Sequence, residues 1–213
     1  MKVVGINGSP RKTKNTATML EHALQAARDA GAEITRYDLV DLNYAGCVSC
    51  FGCKLLDGPS FGRCALRDEL TPVLEDSLSA DALVVATPIY WHDVTSLARA
   101  YFERLFFAGF LYTPDSAVSY ERRVPTGLIY TMGQPQVEPH YQAIVDDNVS
   151  CFERIIGPVK TAFALECYQF DDYSKYASSR FDPAERKRHF EEVFPKECQS
   201  AYELGKWLVG QGA

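Results

Sequence analysis

The sequence of 213 residues lacks the features of membrane-spanning proteins and of proteins that bind polyanions such as nucleic acids. No apolar run approaches the length of about 18 residues that a transmembrane helix needs, so we expect no membrane span. There is also no basic excess, since 22 lysines and arginines stand against 28 aspartates and glutamates, a formal charge of −6. Nucleic acids and anionic membranes attract clustered positive charge, and neither is therefore an expected partner.

The N-terminus lacks the order of a secretory leader. An apolar run at residues 3–6 comes first, and Arg11, Lys12 and Lys14 follow it, whereas charge precedes the apolar stretch in a signal peptide. We therefore expect a cytoplasmic protein, in which thiols stay reduced. The odd count of seven cysteines also fits a disulfide framework poorly, so clustered cysteines indicate metal or redox chemistry.

Hydrophobic periodicity predicts five strands that alternate with helices. The strands are expected near residues 3–6, 33–39, 82–86, 127–131 and 159–165, and the helices near residues 15–30, 68–78, 94–106, 141–156 and 182–208. We expect Pro183 to begin the last helix and Pro195 to interrupt it before residues 198–208 continue. The alternation predicts an α/β, flavodoxin-like fold: a five-stranded parallel sheet in the order 2-1-3-4-5 with helices on both faces.

We expect this fold to form a single domain over residues 1–213. A cysteine-rich loop at residues 43–67 and a helical C-terminal extension at residues 182–210 are its two additions. The ligand crevice of such a sheet lies beyond the carboxyl ends of strands 1 and 3. The loops that follow Ile6 and Ala86 should therefore face one site.

The loop after the first strand, at residues 7–16, has the composition of an anion site. It leads into a helix N-terminus, whose free N–H groups and dipole favour negative charge. Ser9, Asn15 and Thr16 add short donors. Arg11 can fork onto two phosphate oxygens. A simple turn before a capped helix is the alternative.

Two further loops at the same edge suit a flat ring. The loop at residues 87–91 follows the third strand, and the loop at residues 131–134 follows the fourth. Gly133 would permit a close approach of the backbone. The candidate ring contacts are Pro88, Ile89, Tyr90, Trp91, Thr131, Met132, Gly133 and Gln134. The alternative is that Tyr90 and Trp91 merely cap the core.

Four of the seven cysteines lie close together, as Cys47, Cys50, Cys53 and Cys64. The two-residue spacing of the first three lets their thiolates converge, nearby glycines supply the turns, and a fourth thiolate would complete a [4Fe–4S] set. Zinc could also use four thiolates, although its structural sites usually pair two separated knuckles, and reduced free thiols are a third alternative. The remaining cysteines, expected to be buried, are Cys151, Cys167 and Cys198.

Three segments resemble the NAD(P)H-dependent FMN reductase family. They are Gly-Ser-Pro-Arg at residues 8–11 with Asn-Thr at 15–16, Pro-Ile-Tyr-Trp at 88–91, and Thr-Met-Gly at 131–133. The resemblance covers roughly residues 2–165, and Lys14 departs from the glycine common there. It implies non-covalent FMN in a homodimer or homotetramer. By the same match, the phosphate contacts would be Ser9, Arg11, Asn15 and Thr16, and residues 88–91 and 131–134 would surround the ring.

The cysteine segment resembles the compact motif of the iron–sulfur flavoproteins, a branch of the same family. In that branch FMN and a [4Fe–4S] cluster exchange electrons, and a ferredoxin-like protein is a donor. The resemblance implies that Cys47, Cys50, Cys53 and Cys64 are the metal ligands. The gap between Cys53 and Cys64 is longer than is usual in that branch.

Three functions follow from these observations. The first is an NAD(P)H-dependent FMN reductase, in which NAD(P)H delivers hydride to flavin N5 and no catalytic side chain is required. The second is an electron carrier, fed by a ferredoxin-like donor without direct oxidation of NAD(P)H. The cysteine loop favours the carrier, because a plain reductase has no evident need for it. The third is a phosphate-binding module without redox chemistry.

Overall fold

The computed structural model describes residues 1–115 and 117–211. Its strands are β1 (Lys2–Asn7), β2 (Glu33–Asp38), β3 (Ala82–Tyr90), β4 (Asp93–Val94), β5 (Thr126–Thr131) and β6 (Val159–Ala164). Five of them form a parallel sheet in the order β2-β1-β3-β5-β6, and the short β4 pairs antiparallel with the end of β3. The predicted α/β fold and its parallel strand order are confirmed, and β4 is a sixth strand that the sequence did not predict.

Helices cover both faces of this sheet. They are α1 (Asn15–Asp29), α2 (Thr71–Ser79), α3 (Ser96–Gly109), α4 (Pro139–Ile155), α5 (Pro183–Glu192) and α6 (Phe194–Gly210). One core cluster joins α1 and α6 to the sheet, and a second joins α2, α3 and α4 to the opposite face. Within residues 1–115 and 117–211, none of these helices has the length and apolar character needed to cross a membrane.

The three central strands, β1, β3 and β5, are buried almost throughout because helices cover both of their faces. Alternate side chains of β3 show this: Leu83 and Val85 belong to the cluster with α2, α3 and α4, whereas Ala82 and Val84 belong to the cluster with α1 and α6. All four are at most 1% exposed. This packing fixes the sheet, and with it the edge at which the loops meet.

The strand β3 extends four residues beyond the predicted end at Ala86. Pro88 interrupts the sequence pattern because proline has no N–H for a strand ladder. In the structure β1 already ends opposite Ala86, while β3 continues to pair with β5 as far as Thr131. The N–H of Leu83 points toward β5, so alternation points position 88 toward the side where β1 has ended. The missing N–H therefore costs no ladder bond, and β3 continues through the proline.

The C-terminal helix is interrupted earlier than expected. Asp182 caps α5 by accepting hydrogen bonds from the backbone N–H groups of Ala184 and Glu185, as the predicted start at Pro183 requires. The break falls at Val193, and Pro195 lies inside the first turn of α6 rather than at its end. Proline is tolerated there because the first N–H groups of a helix have no intrahelical partner.

Candidate functional site

The loops after β1 and β3 lie side by side at the carboxyl edge of the sheet. The backbone N–H of Gly8 donates to the carbonyl of Ala86 at 2.8 Å, and the hydroxyl of Thr95 donates to the carbonyl of Gly8 at 2.7 Å. A Cβ at position 8 would lie 3.0 Å from the Cβ of Ala98, so glycine permits this approach. The carboxyl ends of strands 1 and 3 thus meet as their topology predicts.

The loop at residues 7–16 is shaped to leave helix N–H groups available. The side chain of Asn7 accepts from the N–H of Ser9, and the hydroxyl of Ser9 accepts from the N–H of Arg11, each at 3.1 Å. Ser9, Asn15 and Thr16 are all buried. The first turn of α1 has neither a capping side chain nor an acidic residue. A helix N-terminus in this state fits a phosphate group.

The donors of this loop also bind a distant segment, residues 168–171. The guanidinium of Arg11 donates to the carbonyl of Gln169 at 2.8 Å, and the side-chain amide of Asn15 donates to the carbonyl of Tyr168 at 2.9 Å. The ammonium of Lys14 lies 2.7 Å from a carboxylate oxygen of Asp171. Arg11 and Asn15 therefore tie the loop to the chain beyond β6.

The loop after β5 is held from two sides. The hydroxyls of Thr16 and Thr131 are 2.6 Å apart, which joins α1 to the end of β5. On the other side, residues 166 and 167 donate backbone N–H groups to the carbonyls of Gln134 and Met132, at 3.0 and 3.1 Å. The loop at residues 131–134 is consequently a rigid wall rather than a free turn.

The predicted ring contacts divide into two groups. Ile89, Met132, Gly133 and Gln134 line one cavity of about 420 Å³ at this edge. Pro88 and Thr131 are buried behind it, whereas Tyr90 is 44% exposed and Trp91 is 95% exposed. Trp91 lies in the turn between β3 and β4, where Trp91 and His92 both have positive φ, at 48° and 67°. The turn points the indole into solvent, away from the cavity.

The four clustered cysteines line one small cavity against α3. Its wall contains Cys47, Cys50, Cys53, Cys64, Arg104 and Phe107. The turns between the first three cysteines come from Ser49 and Phe51, which have φ values of 52° and 56°. We expected the nearby glycines to make these turns, but Gly62 is the one among them with a positive φ. Non-glycine residues with a positive φ have a strained backbone, and such strain is found often at functional sites.

The cysteine cavity has a low-polarity environment but does not form a single-ion site. Burial raises the pKa of Cys53, and the nearby Cys64 adds to the rise while Lys54 opposes it. Four sulfurs around one zinc ion would lie about 3.8 Å apart, given tetrahedral Zn–S bonds of about 2.3 Å. No group of three or more metal-binding side chains in the described part of the chain is arranged to hold an ion. The described residues therefore form neither a zinc site nor a preassembled cluster site, and the four cysteines are free thiols in this structure.

Arg104 of α3 joins the cysteine loop to the sheet domain. Its side chain is fully buried, and it donates to a carboxylate oxygen of Asp68 at 2.6 Å and to the sulfur of Cys64 at 3.3 Å. It also donates to the carbonyls of Ala45 and Leu66, at 3.2 and 2.9 Å. Burial opposes the charge on Arg104, but its bonds to Asp68 and Cys64 outweigh burial and raise its pKa.

The three remaining cysteines only partly follow expectation. Cys167 and Cys198 are buried, and burial raises their pKa values to about 12 and about 11, so they behave as inert apolar residues. Cys151 was expected to be buried and is exposed. It lies on the outer side of α4, beside an apolar groove between α3 and α4 that also contains Phe110.

Comparison with known proteins gives one family and several relatives. The profile of the NADPH-dependent FMN reductase family matches residues 1–134. Iron–sulfur flavoproteins of Methanocaldococcus jannaschii and Methanosarcina thermophila are each 31% identical over 104 residues. These alignments cover 49% of this chain and 51% and 52% of the two relatives. The chain thus spans about half the length of the curated relatives it matches.

Among solved structures, the fold is similar to that of an NAD(P)H:quinone oxidoreductase from Methanothermobacter marburgensis. The TM-score is 0.70, with 97% of this chain and 98% of the other covered, at 15% sequence identity. At that identity the similarity concerns the fold. It extends over nearly the whole chain, including the part beyond residue 134.

The role of Arg104 can be tested by the substitution Arg104→Leu. It leaves the carboxylate of Asp68 and two carbonyls without their donor, so we expect the free energy of unfolding to fall by about 3 kcal/mol. The control is Arg67→Leu, the same change at an exposed pair with Glu75, where we expect less than about 1 kcal/mol. Urea unfolding measures both, and equal effects would contradict the anchoring role.

Proposed function

Because the chain belongs to the NADPH-dependent FMN reductase family, we propose that it binds FMN and acts as a flavin oxidoreductase. The observation that carries the proposal is that an uncapped helix N-terminus and a cavity lie at the same edge of the sheet. The N-terminus of α1 would take the phosphate, together with Ser9, Arg11, Asn15 and Thr16. Ile89 and residues 132–134 would line the place of the ring.

FMN, when bound, supplies hydride and electron transfer at its ring, and the protein supplies binding, orientation and electrostatics. The hydroxyl pair of Thr16 and Thr131 would keep the phosphate end and the ring end in a fixed relation. We propose NAD(P)H as the electron donor on the strength of the family, with no protein side chain required as a catalytic acid or base.

A second function is favoured by the cysteine loop. We propose that Cys47, Cys50, Cys53 and Cys64 bind a [4Fe–4S] cluster, so that a ferredoxin-like donor could deliver single electrons. Two observations support it: the spacing of the four residues suits a cluster, and relatives are named iron–sulfur flavoproteins. The cavity that the four residues share has a volume of about 20 Å³, so the loop would have to open to admit the cluster. The chain would then work as an electron carrier rather than as a plain reductase.

We also propose an oligomeric state and a compartment for the chain. It would form a homodimer or homotetramer in a reducing compartment such as the cytoplasm, where thiols like those of the cysteine loop stay reduced. The formal charge of −6 supports the absence of nucleic-acid and membrane partners. Light scattering of the purified chain measures its oligomeric state.

The FMN site can be tested with Arg11→Ala. Loss of a charge-assisted hydrogen bond costs about 1.5–3 kcal/mol, so FMN affinity should fall about 10- to 100-fold in a fluorescence titration of the apoprotein. The matched control is Lys12→Ala, because Lys12 is in the same loop but pairs with Asp41 instead. An unchanged affinity of the Arg11 variant would show that Arg11 does not bind the phosphate.

The cluster ligands can be tested with Cys50→Ala. After anaerobic reconstitution with iron and sulfide, bound iron should fall well below that of the original chain while FMN is retained. Cys151→Ala is the control, since Cys151 is also exposed but lies on α4 outside the loop. If the Cys50 variant keeps its full iron content, Cys50 is not a ligand.

A further inference from the structure

Arg186 lies against the loop that follows β5, although its helix α5 is polar and has no fully buried residue. Its side chain is only 11% exposed. One terminal nitrogen, Nη2, donates to the carbonyl of Gly133 at 2.9 Å. The ring of Phe181 lies 4.7 Å from the guanidinium carbon. These contacts hold the guanidinium in a fixed position at the edge of the sheet.

The other terminal nitrogen of Arg186, Nη1, is buried and has no hydrogen-bond partner among residues 1–115 and 117–211. Oε1 of Glu166 lies 3.8 Å from it, which suits an ion pair but is too long for a hydrogen bond. A buried donor without an acceptor is unfavourable, more so when it is charged. Such a donor in a folded protein needs an explanation, and an acceptor on a bound ligand provides one.

The cavity beside Arg186 indicates which part of a ligand supplies the acceptor. It is the cavity of about 420 Å³ that Ile89 and residues 132–134 also line, and its lining includes no residue of the loop 7–16. Arg180 adds a second positive charge to the lining and Glu166 adds one negative charge. Arg186 therefore borders the ring end of the site and not the phosphate end, although its Nη1 atom is itself covered in this structure.

We propose that FMN displaces the carboxylate of Glu166, 3.8 Å from Nη1, and that Nη1 of Arg186 then donates a hydrogen bond to a carbonyl oxygen of the FMN ring. The inference rests on the proposed FMN site and assigns a flavin contact beyond residue 134, where the family profile ends. A cation beside the ring also favours the negative charge that reduction adds. Arg186 would therefore raise the reduction potential of the bound flavin as well as its affinity.

Riboflavin distinguishes a ring contact from a phosphate contact, because it has the same ring and no phosphate. In Arg186→Gln, affinity for FMN and for riboflavin should fall by the same factor, about 10- to 100-fold in fluorescence titrations of the apoprotein. The potential of the bound flavin should become more negative. Arg188→Gln is the control, since Arg188 is exposed on the same helix.

A second variant keeps the inference testable if Arg186→Gln does not fold. Arg186→Lys keeps the positive charge, and its affinity for both flavins should lie between those of the original chain and the glutamine variant. The inference is overturned if Arg186→Gln binds both flavins as the original chain does, or if FMN binding alone weakens. If the original chain binds neither flavin, the proposed function itself fails, so the two failures are distinguishable.

Discussion

The guanidinium group of Arg104 is the interaction on which the position of the cysteine loop depends. It is fully buried on α3 and donates hydrogen bonds to Asp68, to Cys64 and to the carbonyls of Ala45 and Leu66. A buried charge is tolerated only with such complete pairing. Because these partners lie on both arms of the loop, one side chain sets where both arms meet the helix.

Two loops contact the helix α3 at different points along its axis. Thr95 caps its start and binds the loop after β1, whereas Arg104, nine residues further on, binds the cysteine loop. At 1.5 Å per residue these points are about 14 Å apart along the helix axis. The loop after β1 and the cysteine loop are thus bound at two separate points of one helix.

The local patterns were sufficient to predict the sheet, its order and the meeting of the loops after β1 and β3, because buried parallel strands have a continuous apolar signature. They were insufficient wherever a residue acts through distant partners. Arg104 stands three residues after the buried Tyr101, but nothing in the local sequence indicates that its charged side chain is buried against the cysteine loop. Arg186 and Gln169 reach partners 53 and 158 residues away, and no local pattern encodes those contacts. We expected Trp91 to contact the ring because its loop is apolar and aromatic. Composition does not reveal the direction in which a turn points a side chain, and the turn exposes Trp91 to solvent.

The central claim is that one chain holds FMN at the edge of its sheet and iron in its cysteine loop. The most direct test is a visible spectrum of the anaerobically purified full chain, with flavin, iron and sulfide determined on the same sample. The account predicts one FMN and about four iron and four sulfide per chain. A protein that neither retains flavin nor takes it up would contradict the central claim, and flavin without iron would contradict its cysteine half.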